Sequence, residues 1–225
     1  MSELRGPSVA PASGQPAQQL VVFLHGVGAD GNDLIGLAPV FAQALPDAAF
    51  VAPNAPEPCD MAPFGHQWFS LQDRSIPAML AGIERTSPLL NAFLDAQLAA
   101  HGLDSERLAL VGFSQGTMMS LFTAPRRARA CAAVLGYSGA LLAGDRLASD
   151  ARSKPPVLLI HGEQDNVVPF AAMANAESQL RAAGFAVNAY ARPGLGHGID
   201  PEGIALGARF LVERFASQDR GDGHG

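Results

Sequence analysis

Residues 108–122 read LALVGFSQGTMMSLF, an apolar run, a turn and a second apolar run joined without a break. Leu108 to Gly112 has the continuous hydrophobicity of a strand buried on both faces, and Thr117 to Phe122 has the character of a helix. Between them lies Gly112-Phe113-Ser114-Gln115-Gly116. A serine at such a strand-to-helix junction rides a sharp turn that presents its hydroxyl, and small flanking residues let the strained turn lie against neighbouring backbone. With 24 glycines in the chain the pentapeptide alone is a modest signal, because an idle serine in a glycine turn would spell the same letters. The strand before it and the helix after it give it weight.

Outward from this turn the pattern repeats. Short apolar runs end in Gly, Pro or polar turns at 20–24 (LVVFL), 48–52 (AAFVA), 132–137 (AAVLGY), 157–161 (VLLIH) and 187–191 (VNAYA). Helical patterns fill the gaps. Ser87-Pro88 reads as the cap and first residue of a helix that carries Leu89, Leu90, Phe93, Leu94 and Leu98 and stops at Gly102. Residues 169–183 and 201–215 read the same way. Strand alternating with helix predicts an α/β domain, a mostly parallel central sheet with helices on both faces. That domain is expected over 20–218, after a flexible or extended arm at 1–19 rich in Pro, Ala and Gln, and before a polar tail at 219–225. Residues 53–77, PNAPEPCDMAPFGHQWFSLQDRSIP, are too long and proline-rich for a simple connection, which marks them for function.

A serine hydroxyl is a poor nucleophile at neutral pH and needs an imidazole base, itself oriented by a carboxylate. The polar turn after VLLIH, GEQDNVVP at 162–169, supplies Asp165 as the acid, with Glu163, closer to the strand end, as its competitor. Asp145 and Asp150 lie in a polar connection and read as surface charges. After VNAYA the loop RPGLGHG at 192–198 presents His197 just before the last helix. The other histidines have plainer roles: His25 braces a glycine loop, His161 closes a strand beside the acid loop, His101 ends a helix and His224 lies in the tail. Ser114, Asp165 and His197 fall in the chain order expected of a triad on this kind of sheet.

The first strand opens a second glycine turn, LVVFLHGVGADGND at 20–33, which contains G-x-G-x-x-G at Gly26, Gly28 and Gly31. A dinucleotide site would need an acidic residue about 20 positions on, at the end of the next strand. Asp47 precedes the run AAFVA and so falls at the wrong end, and Glu57 lies beyond Pro53 and Pro56 in the long loop. The alternative is an oxyanion loop, with Val27 as backbone N–H donor and Gly26 and Gly28 admitting the substrate closely.

Composition narrows the function further. The 225 residues are 48% apolar and 16% charged, with 15 basic against 21 acidic side chains and a net charge of −6, so a nucleic acid partner is not expected. The N-terminus lacks an apolar segment behind basic residues, and no window approaches a membrane-spanning run, so the expected address is the cytoplasm, with no stable membrane insertion. Cys59 and Cys131 form no CxxC and are expected reduced. H-E-x-x-H is absent and the histidines lack ligand spacing, so neither metal nor cofactor is expected.

FLHGVGADGNDL, GFSQG, HGEQDNVVP and GLGHGI together resemble the blocks of the phospholipase/carboxylesterase group of α/β-hydrolases, which includes acyl-protein thioesterases and small bacterial carboxylesterases. The likeness runs from about Leu20 to Phe215. It implies a compact α/β-hydrolase fold without a large cap domain, a triad of Ser114, Asp165 and His197, and an oxyanion hole made by the N–H groups of Val27 and Gln115. Members often carry Leu or Tyr after His-Gly, where this chain has the smaller Val27, which bears on the width of the acyl pocket.

The long loop offers Met61, Phe64, Trp68, Phe69 and Leu71 as an apolar, partly aromatic wall suited to an acyl chain. Trp68 and Phe69 are equally suited to plugging the domain's own core, and a homodimer is expected only if they prove exposed. The expected activity is carboxylic-ester hydrolysis through an acyl-enzyme, on small-molecule or acylated-protein substrates. Thioesters and lysophospholipids share the chemistry. Readings of other kinds are a serine peptidase, which shares the triad, and a non-catalytic binding protein, which would be expected to lose a triad member.

Overall fold

The computed structural model describes the backbone of residues 3–221 and the side chains of residues 3–218. Its nine strands are β1 (Ser8–Val9), β2 (Gln19–Leu24), β3 (Ala48–Val51), β4 (Glu57–Pro58), β5 (His66–Gln67), β6 (Leu108–Phe113), β7 (Ala133–Tyr137), β8 (Val157–Gly162) and β9 (Val187–Arg192). Seven form a sheet in the order β1-β3-β2-β6-β7-β8-β9, and β4 pairs with β5 as a small hairpin. All neighbours in the large sheet run parallel except β1, which is antiparallel to β3. The six apolar runs of the sequence are thus all strands.

Their unbroken hydrophobicity follows from burial on both faces. Leu20, Val22 and Leu24 join one core layer, and Val21 and Phe23 of the same strand join the other. The first layer is covered by α3 (Ile76–His101), α4 (Gln115–Arg126), α5 (Leu147–Asp150) and α6 (Ala171–Ala182), through side chains such as Leu94, Met119, Leu147 and Leu180. The second is covered by α1 (Gly31–Ile35), α2 (Ala38–Ala44) and α7 (Pro201–Gly221), through Leu34, Phe41, Leu211 and Phe215. Among the described residues no helix is long and apolar enough to cross a membrane.

Three boundaries differ from the sequence reading. The arm is extended rather than loose: Ser8 and Val9 pair with Val51 and Phe50, and Leu4 is buried, so the domain reaches back well before residue 20. The helix expected from Ser87 begins at Ile76, capped by Ser75, whose hydroxyl accepts from the Ala78 amide. It runs through Pro88. An internal proline costs about 3 kcal/mol, an amount offset here by burial of Ile83, Leu90 and Leu94 on either side of it. Ser87, read as the cap, instead shares a 2.9 Å hydrogen bond with Thr123 of α4. At the other end α7 runs to Gly221, so residues 219–221 of the supposed tail are helical. Residues 222–225, with His224, lie outside the described ones.

Because the strands run parallel, the segments that follow β2, β6, β8 and β9 all emerge at one edge of the sheet. That edge carries the glycine loop, Ser114, Asp165 and His197.

Candidate active site

Ser114 joins β6 to α4 with φ 53° and ψ −115°, a left-handed backbone that costs a non-glycine residue roughly 1–3 kcal/mol. The surroundings hold it there: its amide donates to Tyr137 O at 2.9 Å, and its carbonyl accepts from Met118 N at 3.2 Å. The two flanking glycines are demanded by close approach. A Cβ at Gly116 would stand 1.8 Å from Leu24 O, and one at Gly112 would stand 2.5 Å from Thr117 N. The Ser114 side chain makes no capping bond to α4. Only 6% of the residue is exposed, so the hydroxyl lies in a recess rather than clear of the surface.

Asp165 is built into the turn after β8. Its Oδ1 accepts from the Val167 and Val168 amides, each at 2.9 Å, and its Oδ2 lies 2.7 Å from His197 Nδ1. Burial pushes the carboxyl up, but the hydrogen bond from His197 and those from the Val168 and Val167 amides outweigh it and hold the group below the usual carboxylate range. A carboxylate only accepts, so Nδ1 of His197 carries a proton, and in the neutral ring the lone pair is on Nε2. The His197 ring packs against Phe113, centroid to centroid 4.8 Å, and Phe113 immediately precedes Ser114. The loop that carries His197 is clamped by Arg192, whose Nε and Nη2 reach Asp200 Oδ2 at 3.0 and 2.8 Å. Glu163, the competing acid, is exposed on the same turn.

The sequence reading missed how deeply His161 enters this arrangement. Its Nε2 donates to Val168 O at 3.0 Å, closing the turn, and lies 3.1 Å from Asp165 Oδ2, the oxygen that faces His197. Its place four residues before Asp165, at the end of an apolar strand, was the available signal.

The glycine loop lies beside the serine, where a Cβ at Gly26 would stand 3.3 Å from Ser114 Cβ. His25 braces it as expected. Its Nε2 accepts from Ala55 N at 3.0 Å and its Nδ1 donates to Gly26 O at 2.7 Å. Burial lowers its pKa and keeps the ring neutral. Val27 is half-buried on this loop. The hairpin β4–β5 docks onto it through Gly28 N to His66 O at 2.9 Å and His66 N to Ala29 O at 2.7 Å.

The proposed apolar wall divides. Met61 and Phe64 are 52% and 73% exposed on this hairpin, and Leu71 is half-buried against the core. Trp68 and Phe69 are 0% exposed and belong to the core, so they present no wall to a substrate and no surface to a second copy. The reason is anchoring by Gln115, noticed in the sequence only for its backbone: its side chain accepts from Trp68 N at 2.8 Å and donates to Phe69 O at 2.7 Å. Trp68 Nε1 also donates to His25 O at 2.9 Å, and Thr86 donates to Trp68 O at 2.7 Å. A mostly apolar pocket of about 240 Å³ opens instead at Phe113, the residue before the serine, lined also by Asp33, Leu34, Leu37 and Ile199. Among the described residues no three His, Cys, Asp or Glu side chains gather as a metal ligand set.

Comparison with known proteins identifies the family. The family model described as Phospholipase/Carboxylesterase matches residues 6–213. Esterase YpfH of Escherichia coli (strain K12) is 31% identical over 85% of this chain and 81% of its own length. Acyl-protein thioesterase 1 of Gibberella zeae is 27% identical over 93% of this chain and 95% of its own. The crystal structure of esterase PE8 superposes with a TM-score of 0.90 at 42% identity, covering 94% of this chain and 99% of that one. With its parallel sheet and its serine on the turn after β6, the chain is a hydrolase that belongs to the phospholipase/carboxylesterase family of α/β-hydrolases.

Proposed function

We propose that the protein hydrolyses carboxylic esters and thioesters of short to medium acyl chains by acyl transfer through Ser114. The observation that carries this reading is the 2.7 Å contact between Asp165 and His197 Nδ1, on a ring packed against Phe113 beside the strained Ser114 turn. With Nδ1 committed to the carboxylate, Nε2 takes the Ser114 proton as the hydroxyl oxygen attacks the acyl carbon. Asp165 keeps the imidazole in that tautomer and favours its protonated form. The imidazolium then gives its proton to the departing alcohol or thiol as the carbon–oxygen or carbon–sulfur bond breaks. Water repeats the cycle on the acyl-serine and releases the acid.

The N–H groups of Val27 and Gln115 are the proposed oxyanion hole, each contributing roughly 2.7–4 kcal/mol. Gln115 begins α4, and the first amides of a helix lack partners within it. The apolar part of the substrate is assigned to the pocket of Leu34, Leu37, Phe113 and Ile199, with Met61 and Phe64 as a second exposed surface. Lysophospholipids and acylated proteins contain the same reacting bond, and the relative named acyl-protein thioesterase 1 supports extending the proposal to the latter.

Rates on p-nitrophenyl esters of graded chain length, matched thioesters and a peptide amide test this reading. Ester and thioester turnover with little amide cleavage is expected. A peptidase would cleave the amide, and a binding protein would cleave none. Ser114→Ala is expected to lower kcat by about 10⁴ to 10⁶, and a variant with undiminished esterase rates would remove Ser114 as nucleophile.

A further inference from the structure

The opposite edge of the sheet gathers positive charge. Arg126 and Arg127 lie at the end of α4, Arg129 lies on the way to β7 and Arg152 precedes β8. All four line one depression of about 320 Å³, against Asn91 and Asp95 of α3. The chain as a whole carries only 15 basic residues and a net charge of −6, so this concentration runs against its average.

Two of the four are committed to the fold. Arg126 donates to Phe122 O at 2.9 Å and to Asp150 at 2.6 Å, with its guanidinium 3.8 Å from the centre of the Phe122 ring. Asp150, read from the sequence as a plain surface charge, is therefore a structural partner. Arg127 is buried, donates to Asn91, to Asp95 at 2.8 Å and to Ser105, and its Nε is buried without a partner. Attraction to the last carbonyls of α4 accounts for cations at these two positions. It does not account for Arg129 and Arg152, which lie beyond the helix on separate connections. Both are exposed, and among the described residues neither guanidinium has a hydrogen-bond or ion-pair partner. Asp95 and Asp150 offset two of the four guanidiniums, so two positive charges face one concavity without compensation.

We propose that this depression binds a phosphate monoester. A phosphate monoester carries about −1.5 to −2 charges at neutral pH, which matches the two uncompensated cations. Guanidinium forks meet phosphate oxygens two at a time, and Arg127, pinned by its three partners, offers a rigid floor. Apart from Ala128 the walls are arginine, amide, carboxylate and hydroxyl, which favours a phosphate and a small polar group over an acyl chain. The site lies a strand length, roughly 20 Å, from the catalytic edge and is independent of the ester-binding pocket. The phosphate belongs either to a soluble metabolite or to a lipid headgroup.

Calorimetric titration of the full chain with inorganic phosphate and with glycerol phosphate in low salt is expected to give saturable binding with a Kd of about 1 mM or tighter. R129A/R152A is expected to weaken it by about tenfold or more, and R129K/R152K to recover only part, since it restores the charges without the forks. Melting of both variants at the parent's temperature shows that lost binding is not lost folding. Co-sedimentation with phosphatidic acid vesicles but not with phosphatidylcholine vesicles, abolished in R129A/R152A, assigns the phosphate to a headgroup. Binding of the soluble probes alone assigns it to a metabolite. No saturable binding of any of these probes, or equal binding by parent and R129A/R152A, overturns the proposal.

Discussion

Two connections meet at the edge of the sheet that carries Ser114, and they draw on near and distant partners in different proportion. The turn after β8 fixes one oxygen of its acid within a few positions, since Asp165 takes the Val167 and Val168 amides and His161 spans to Val168 O. Its Glu163 and Gln164 amides donate to Arg192 O, at the end of β9, and to Leu195 O, in the loop after it, at 3.1 and 2.9 Å. The long connection from β3 to α3 is held from far away in the chain. Thr86, 18 positions on, and Gln115, 47 positions on, both bond the Trp68 backbone, and His25, 43 positions back, takes its indole N–H. The short turn shapes its acid with its own residues and is tied to the one loop beside it. A long loop borrows its geometry from the elements it packs on.

The sharpest break of this comparison is at the acid. Asp165→Asn is expected to lower kcat by about 10⁴, since the amide can hold His197 in the wrong tautomer, while Glu163→Gln on the exposed side of the same turn stays within about twofold. Ester kinetics of the two variants decide it, and the reverse ranking would reassign the acid. With the folded Asp165 pKa depressed, its stabilising contribution is complete above the unfolded value of about 3.9 and is lost as pH falls through the lower folded value. A decline in rate above about pH 5 therefore belongs to another group.

Next in size is the loop. Trp68→Ala is expected to cost about 3–5 kcal/mol, which for a chain of this length lowers Tm by roughly 6–20 °C in a thermal unfolding scan. Lost activity with an unchanged Tm would return Trp68 to the substrate surface and erase the contrast between the two connections.

His161→Phe keeps a ring but removes the N–H that bonds Val168 O beside the Asp165 carboxylate. A fall of about tenfold in kcat with little change in KM is expected, with His161→Gln recovering most of it because its amide can still donate. An undiminished kcat would leave Asp165 positioned by its two amides alone.

The smallest effect expected is pH-dependent. Burial depresses the His25 pKa, so its contribution to stability is present above the unfolded value of about 6.5 and is lost as pH falls below it. His25→Gln can keep both hydrogen bonds without titrating. Its Tm is expected to fall less than the parent's between about pH 7.5 and 5.5, by about 2–4 °C for each kcal/mol involved. Parallel curves would show that the ring is not the titrating brace.

Much of this was legible in the letters. Six apolar runs became six strands, and Gly102 stopped α3 in the left-handed conformation that glycine permits. The missing acid at the end of β3 argued against a dinucleotide loop. Misreadings arose where a local signal had two hosts. Ser75-Ile76-Pro77 and Ser87-Pro88 both look like helix starts, and only packing against α4 shows that the second is helix interior. Trp68 and Phe69 suit a groove or a core equally, and the hydrogen bonds from Gln115 decide for the core.

The sequence by itself determined the parallel α/β sheet and singled out Ser114, Asp165 and His197 at the ends of its strands, because strand period, glycine turns and loop polarity are set by neighbours a few residues apart. Only the tertiary structure decided which side chains anchor the long loop, that His161 reaches Asp165, where an apolar pocket opens at Phe113, and that four arginines share one depression. Those are contacts between distant segments, which leave no periodic trace because their energy depends on where the folded backbone brings them together.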